Sequence, residues 1–297
     1  MKIGILSFRS ADRKASEEEI RLKKEAIALG HSAKIYRVAN FHMVYNQSSP
    51  CLIYDGKPFA KCDVMITRPA VLVNVELHIA IVDQMEMMGI PLFNNYSSIL
   101  FAKNKVKTMQ ILDGKKIPIP KTVLLQRQDD LKSAVKLLGG FPIIVKQPYG
   151  SFGNGVVIVE SMRALNSFLV WDKPMYLLQQ FVKYAKGRDL RIFVVNGKVV
   201  GSMMRSAKKG EFRSNIELGG TGMSAEITKQ EADIAIRSVE ALGLEYGGVD
   251  VIRANGSPVV LEVNSNPGFK ALEVATGINI AKEIVTHAIS FSQGFHQ

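Results

Sequence analysis

The 297-residue chain reads as an α/β protein, with a parallel Rossmann-like sheet first and a strand-rich α+β region after it. Three observations predict this. Strand and helix patterns alternate through the first third, as a parallel sheet requires. The stretch Ile117-Pro-Ile-Pro120 ends that pattern, because proline cannot continue a helix. Beyond it, apolar runs flank hairpin signals such as Asn196-Gly197.

The elements follow in order. Lys2 to Phe8 is an apolar first strand. Ser16-Glu-Glu-Glu19 is a capping box, and its helix runs to Leu29 and stops at Gly30. Strands are expected at Ala33–Val38, Asp63–Thr67 and Pro91–Phe93, with a helix over Val75–Met88. One helix is expected from Ser97 to Leu112, carrying Lys103, Lys105 and Lys107. A strand ends at Leu125, and Asp129–Leu138 is helical. Phe141-Pro-Ile-Ile-Val-Lys146 is a buried strand joined by Gly150-Ser-Phe-Gly-Asn-Gly155 to a strand at Val156–Val159. Further strands fit Leu177–Val182, Leu190–Val195, Lys198–Met204, Val249–Arg253 and Val259–Val263. Helices fit Lys229–Leu242 and Ile280–Ser290, and a basic, glycine-containing stretch spans Arg205–Gly222.

Composition narrows the function. Hydrophobic residues make up 47% and charged residues 22%, which is globular and excludes disorder for most of the chain. No apolar run approaches the roughly 18 residues of a membrane span, and the start is too short for a secretory signal. Cys51 and Cys62 form neither a metal pattern nor a disulfide framework, so the simplest location is the cytoplasm. Lys and Arg number 38 against 27 Asp and Glu, and this +11 surplus attracts anions. No G-x-G-x-x-G follows the first strand and no Walker A lysine loop occurs, so the first layer is a scaffold or a substrate-side domain. The five histidines lack zinc spacing, no G-x-S-x-G marks a serine hydrolase, and no aromatic platform supports sequence-specific RNA reading.

Three constellations carry chemistry. The Gly150–Gly155 loop frees backbone amides for phosphate oxygens, and Lys146 at the end of the preceding strand would neutralise phosphate charge. Glu262 and Asn264, two apart on a strand, share one face, with Asp250 on the partner strand. A three-residue Asn255-Gly256-Ser257 turn would set Asp250 opposite Glu262, whereas a two-residue turn would set it opposite Leu261; the sequence allows both. Two carboxylates and an amide oxygen suit Mg²⁺, and the pair would be costly to bury without a cation. The third set is basic: Arg188, Arg191, Arg205, Lys208, Lys209 and Arg213, either a carboxylate or phosphate grip or a solvated loop.

These motifs line up with Asn104-Lys105, Leu178-Gln-Gln-Phe-Val182, Asp189-Leu-Arg191, Gly210-Glu-Phe-Arg-Ser-Asn215, Gly248-Val-Asp250 and Leu261-Glu-Val-Asn264-Ser-Asn-Pro-Gly268. Together they resemble the ATP-grasp superfamily and, within it, the RimK-type α-L-glutamate ligases that modify a ribosomal protein. The resemblance implies a Rossmann-like domain at 1–95, a central ATP-grasp subdomain at 96–185 and a C-terminal one at 186–297. It implies that Lys105 and Lys146 meet nucleotide phosphates, with Gly150, Ser151, Gly153 and Gly155 in a closing loop. Gln180, Phe181 and Val182 would meet adenine, and Asp189 would lie near the ribose. Arg213, Ser214 and Asn215 would lie at the phosphate end. Asp250, Glu262 and Asn264 would hold Mg²⁺ or Mn²⁺, two ions in all. Asn104 departs from the Asp that many relatives place there, and Phe152-Gly153-Asn154 departs from the commoner loop residues.

The activity so implied is ATP-dependent addition of L-glutamate to the C-terminal carboxylate of an acidic protein or peptide, through an acyl phosphate. Arg205 and Arg213 are the candidate catalytic arginines, with Arg205 holding the acyl phosphate. Arg68 either reads a substrate carboxylate or is a core-rim arginine. Alternatives are a glutamate ligase acting on a pterin or deazaflavin coenzyme or on an amino-group carrier protein, a natural-product peptide ligase, and a non-catalytic ATP-binding, ribosome-associated module. The resemblance further implies a homo-oligomer, dimer or tetramer, with neither membrane nor sequence-specific nucleic acid as partner.

Overall fold

The chain opens with β1 (Lys2–Ser7), α1 (Glu17–Ala28) and β2 (Ser32–Arg37). This is a computed structural model, in which residues 1–10, 12–45, 48–70, 74–150, 155–169, 175–182, 187–208, 213–254 and 256–295 are described. The predicted capping box is present: Ser16 Oγ accepts from the Glu19 amide at 3.2 Å, and Glu19 Oε2 accepts from the Ser16 amide at 2.7 Å. A small antiparallel sheet of β3 (Phe41–Val44), β4 (Cys51–Tyr54) and β5 (Lys57–Pro58) comes next, where no strand was expected. Tyr36, Phe41, Tyr54 and Phe59 pack there ring against ring. Next come β6 (Val64–Arg68), α2 (Val75–Met87) and β7 (Leu92–Phe93). The order β2-β1-β6-β7 is parallel throughout, as the strand–helix alternation predicts.

The helix expected from Ser97 to Leu112 is two helices, α3 (Tyr96–Lys103) and α4 (Lys105–Gly114). Asn104 is the cause. Its backbone is extended, and its side chain accepts from the amides of Val106 and Lys107 at 3.0 and 3.2 Å, capping α4. Then come β8 (Thr122–Leu125), α5 (Leu131–Leu137), β9 (Ile143–Lys146), β10 (Val156–Val159), α6 (Met162–Phe168) and β11 (Tyr176–Gln180). They form an antiparallel sheet ordered β10-β9-β11-β8. β11 stops at Gln180, so Phe181 and Val182 lie beyond the strand expected to include them.

The last sheet has β12 (Arg188–Val195), β13 (Lys198–Ser206), β14 (Thr221–Ser224), α7 (Lys229–Ala241), β15 (Tyr246–Ala254) and β16 (Ser257–Asn264). It is ordered β14-β13-β12-β15-β16 and is followed by α8 (Lys270–Thr276) and α9 (Ile280–Phe295). β14, α6 and α8 were not expected from the pattern. Each is short, and the first begins in the last two residues of the stretch read as a basic loop.

Two lobes emerge from the packing. The central sheet has its own core, which includes Leu125, Ile143, Val145, Leu165 and Leu178. The N-terminal sheet instead shares one core with the last sheet and helices, joining Ile3, Ile5, Val64 and Phe93 to Phe193, Tyr246, Phe269 and Ile284. Asn94 binds the two sheets at their seam. It is fully buried and left-handed (φ 71°). Its amide donates to the carbonyls of Tyr246 and Ser265 at 2.9 and 3.1 Å and accepts from the amides of Glu245 and Tyr246. The Tyr246 hydroxyl returns a bond to the Thr67 carbonyl at 2.6 Å.

Candidate active site

The central sheet and the last sheet face each other across a cleft of about 960 Å³, counted to its open mouth. One wall comes from β9 and β10. Ile144 and Lys146, two apart on β9, point the same way, and Val156 stands beside Lys146. The other wall comes from β15 and β16, with Asp250 and Ile252 two apart on β15 and Leu261 and Glu262 adjacent on β16.

That adjacency needs an explanation, since neighbours on a strand point to opposite faces. Ala254 pairs with Ser257, and this two-residue-turn register continues to Val251 opposite Val260. A bulge then intervenes, and Asp250 pairs with Glu262. The turn is therefore the shorter of the two the sequence allows, and the extra residue, Leu261, restores the opposition of the carboxylates. The bulge also turns Leu261 and Glu262 to the same cavity. Gly248 keeps room for what lies over this end of the sheet: a Cβ there would meet Pro267 Cβ at 2.7 Å and Arg191 Cδ at 3.1 Å.

The charged groups are tightly bound to one another. Arg191 Nε and Nη2 donate to the two oxygens of Asp250 at 2.5 and 3.0 Å. Arg205 donates to both oxygens of Asp189 at 2.7 Å, and its Nη2 also lies 2.9 Å from Asp250 Oδ2. Burial would raise the Asp250 pKa, but the Arg191 and Arg205 guanidiniums hold it below the usual carboxylate range. Burial would lower that of Arg205, and Asp250 and Asp189 raise it instead. Lys105 Nζ is 3.5 Å from Glu262 Oε1 and donates to the Gly150 carbonyl at 2.8 Å. Burial pushes the Lys146 ammonium down to about 8; Glu262 and Asp250 pull it back up and Lys105 pushes it further down.

Most residues singled out in the sequence meet in this one cleft. Lys105, Lys146 and Gly150 line it, as do Gln180, Phe181, Val182 and Asp189. So do Arg205, Arg213, Ser214, Asn215, Asp250 and Glu262. Gly155 does not line it; this left-handed residue (φ 74°) closes the hairpin by accepting from the Gln147 amide. Asn264 lies just outside, its amide donating to the Gly248 carbonyl at 3.4 Å. Ser151 and Gly153 fall outside the described residues, as does Lys209 of the basic set. Asp189 lines the cleft, with both of its carboxylate oxygens accepting from Arg205. The apolar lining was missed. Ile144 and Ile252 could have been read from period two, since each lies two residues from a charged group already chosen. Leu261 could not, because only the bulge brings it inward.

The donor set fits a hard cation. Asp250, Glu262 and Asn264 offer oxygen only, and among the described residues no three His, Cys, Asp or Glu cluster into an all-protein cage. Mg²⁺ needs no such cage, because it keeps waters and shares its shell with phosphate oxygens. Asp250 accepts three arginine bonds, which leaves it part of a carboxylate's roughly four acceptor directions.

The proton balance of Lys146 gives a prediction. A bound phosphate would return its depressed pKa toward the ordinary lysine value. If a nucleotide phosphate binds beside Lys146, its affinity should be greatest below pH 8 and fall as pH rises through that value, by up to about tenfold per pH unit. Titration calorimetry in buffers of different ionisation enthalpy should show proton uptake near pH 8.5, and Lys146→Met should flatten the profile.

An α/β chain with a parallel first sheet and a charged cleft between two antiparallel sheets has the ATP-grasp architecture. Solved structures agree on the fold. The ATP-grasp ligase PsnB complexed with a minimal precursor superposes with a TM-score of 0.77 over 97% of this chain and 98% of that one, at 17% identity. A RimK domain protein ATP-grasp from Sphaerobacter thermophilus gives 0.74 over 97% and 99%, at 18% identity. Residues 1–99 match the RimK PreATP-grasp domain and residues 102–288 the RimK-like ATP-grasp domain. A probable alpha-L-glutamate ligase of Coxiella burnetii is 38% identical over 288 residues, 96% of this chain and 94% of the relative. One from Methanococcoides burtonii is 37% identical over 290 residues, covering 97% and 95%. The chain belongs to the RimK-like ATP-grasp family of ligases. Among the described residues, no helix is long and apolar enough to cross a membrane.

Proposed function

We propose that this protein is an ATP-dependent ligase that joins L-glutamate to the C-terminal carboxylate of an acidic protein or peptide, of the ribosomal-protein type. One observation carries the reading. Two carboxylates, Asp250 and Glu262, share a cleft with Lys105 and Lys146, and an apolar slot of Ile144, Val156, Ile252 and Leu261 adjoins them. That is a place for a planar base at one end and a metal-bound polyphosphate at the other. Relatives named as probable alpha-L-glutamate ligases support the donor. A structure of the same neighbour complexed with its precursor peptide supports a peptide acceptor.

A carboxylate is a poor acyl electrophile, so the reading includes its phosphorylation by ATP to an acyl phosphate, which the amine of glutamate then attacks. No protein nucleophile is needed. Lys105 and Lys146 hold the transferring phosphates, and Arg205 and Arg213 stabilise the acyl phosphate. Gln180, Phe181 and Val182 border the adenine, Asp189 lies near the ribose, and Ser214 and Asn215 close the phosphate end. Asp250, Glu262 and Asn264 hold Mg²⁺ or Mn²⁺, which when bound screens the charge that builds between the phosphates and the incoming carboxylate. The working units are 1–95, 96–185 and 186–297, with the cleft between the last two.

Mass spectrometry tests the proposal after incubation with ATP, Mg²⁺ and each common amino acid, with and without peptides ending in glutamate. Steps of one glutamyl residue, seen only with glutamate and ATP, are expected. ADP release without product would replace the peptide acceptor with a coenzyme or carrier protein. ATP binding without ADP or product would overturn the ligase reading.

A further inference from the structure

Both ends of the Asn104 side chain are in use. Oδ1 accepts from the amides of Val106 and Lys107, and Nδ2 donates to the Tyr149 hydroxyl at 3.0 Å. The next residue reaches the same segment twice. The Lys105 amide donates to the Pro148 carbonyl at 2.9 Å, and Lys105 Nζ donates to the Gly150 carbonyl at 2.8 Å. Residues 104 and 105 thus bond three consecutive residues, 148, 149 and 150. The contact falls where β9 has ended and the glycine-rich loop begins.

The three bonds are not alike. Lys105 and Gly150 line the cleft, whereas Asn104 and Tyr149 stand outside it. Tyr149 also has a second attachment. It packs against the N-terminal cluster that includes Leu6, Val75, Ile79 and Ile99, and among the described residues it is the one from beyond position 100 that does so. The central sheet keeps a core of its own. Tyr149 therefore ties the root of the loop to the first lobe and not to the sheet from which it comes.

The tie bears on Lys105. A lysine side chain is long and loses much rotamer freedom when it is held. The Lys105 side chain is nonetheless only 11% exposed, with Nζ between the Gly150 carbonyl and Glu262 Oε1. The Gly150 carbonyl helps to set where that ammonium stands, and Tyr149, the residue before it, is what anchors the carbonyl from outside the cleft. A cation placed in advance gains more from a phosphate than one that must first be ordered.

We propose that Asn104 and Tyr149 are positioning residues for the nucleotide: through the Gly150 carbonyl they hold Lys105 Nζ at the phosphate end of the cleft without touching the ligand. The proposal rests on the reading of Lys105 as a phosphate contact. Asparagine suits the task because one end accepts from the helix and the other donates to the phenol. An aspartate would keep both bonds, with the phenol donating instead. A serine would still cap α4 but has no second group to reach Tyr149.

Calorimetric titration of the full chain with two probes tests this: a non-hydrolysable ATP analogue with Mg²⁺, and adenosine, which lacks phosphates. Tyr149→Phe keeps the ring and removes the hydroxyl. It should weaken the ATP analogue about threefold to tenfold, the worth of one hydrogen bond, and leave adenosine within about twofold. Asn104→Ser should do the same, the two together should be no worse than either, and Asn104→Asp should bind as the wild type does. In a Lys105→Met background, Tyr149→Phe should have no further effect, because its action passes through that lysine. Unchanged affinity for the ATP analogue in both Tyr149→Phe and Asn104→Ser would overturn the proposal. So would an equal loss for both probes, which marks a general disturbance of the fold, or a loss that persists in Lys105→Met. A wild type that binds the ATP analogue no better than adenosine would remove the phosphate role of Lys105 and this proposal with it. Tight binding of the analogue without ligation, with the expected losses in the variants, would remove the ligase reading and leave the positioning pair standing.

Discussion

Glu262→Gln should abolish ligation. The substitution keeps the shape of the side chain and removes one negative charge beside Lys105, in the cleft that Lys146 and Asp250 also line and where the cation is proposed to bind. On the proposed reading this charge organises metal and phosphate, and its loss is expected to cost at least about 10³-fold in kcat, roughly 4 kcal/mol of barrier. Stability should hardly change. The Glu262 side chain is 35% exposed, and its contact with Lys105 spans 3.5 Å, so as an ion pair it is worth under about 1 kcal/mol. Steady-state ADP release and a melting curve on the same preparation separate the two effects. Activity above about a tenth of wild type would place the metal chemistry elsewhere. If the basic surface binds RNA independently of ligation, that binding should survive the substitution and keep its salt dependence.

The second large effect is expected at Arg205, where structure and chemistry are entangled. Its guanidinium lies between Asp189 and Asp250, with only 4% of its side chain exposed. Arg205→Met strands the Asp189 carboxylate and removes one of two cations from Asp250, which should cost about 3–5 kcal/mol. For a chain of this size that lowers Tm by roughly 5–8 °C. A second substitution separates the roles. Asp189→Asn in the same chain removes the stranded charge, so the pair should recover much of the lost stability. Ligation should stay lost if Arg205 itself touches the acyl phosphate. Recovery of activity together with stability would make Arg205 a strut and leave Arg213 as the sole arginine candidate for that role.

What was legible in the sequence divides along physical lines. Features set by local rules were readable: the Ser16 capping box, the parallel order of the first sheet, and the shared face of Glu262 and Asn264. Charged side chains in otherwise apolar strands also stood out, which is why Lys146, Asp250 and Glu262 were found. Features set by pairing across distance were hidden. The bulge at Leu261 depends on how two strands settle against each other, and it alone decides that an apolar side chain joins the acidic pair in the cavity. The division at Asn104 was readable in principle, since asparagine caps helices, but the apolar spacing of Ser97–Leu112 continued smoothly through it. The small β3–β5 sheet was missed because its strands hold only four, four and two residues.

The shared core of the first and last segments also governs how the protein is made. Ile3 and Ile5 are synthesised well before Ile280, Ile284 and Ala288, which complete their hydrophobic cluster from α9. At about 5–20 residues per second, the first strand waits some 15–60 s for the residues that cover it. The central lobe, with its core drawn wholly from residues 123–178, closes long before then. Synthesis therefore passes through an intermediate in which the middle is finished while the apolar face of β1 still awaits α9.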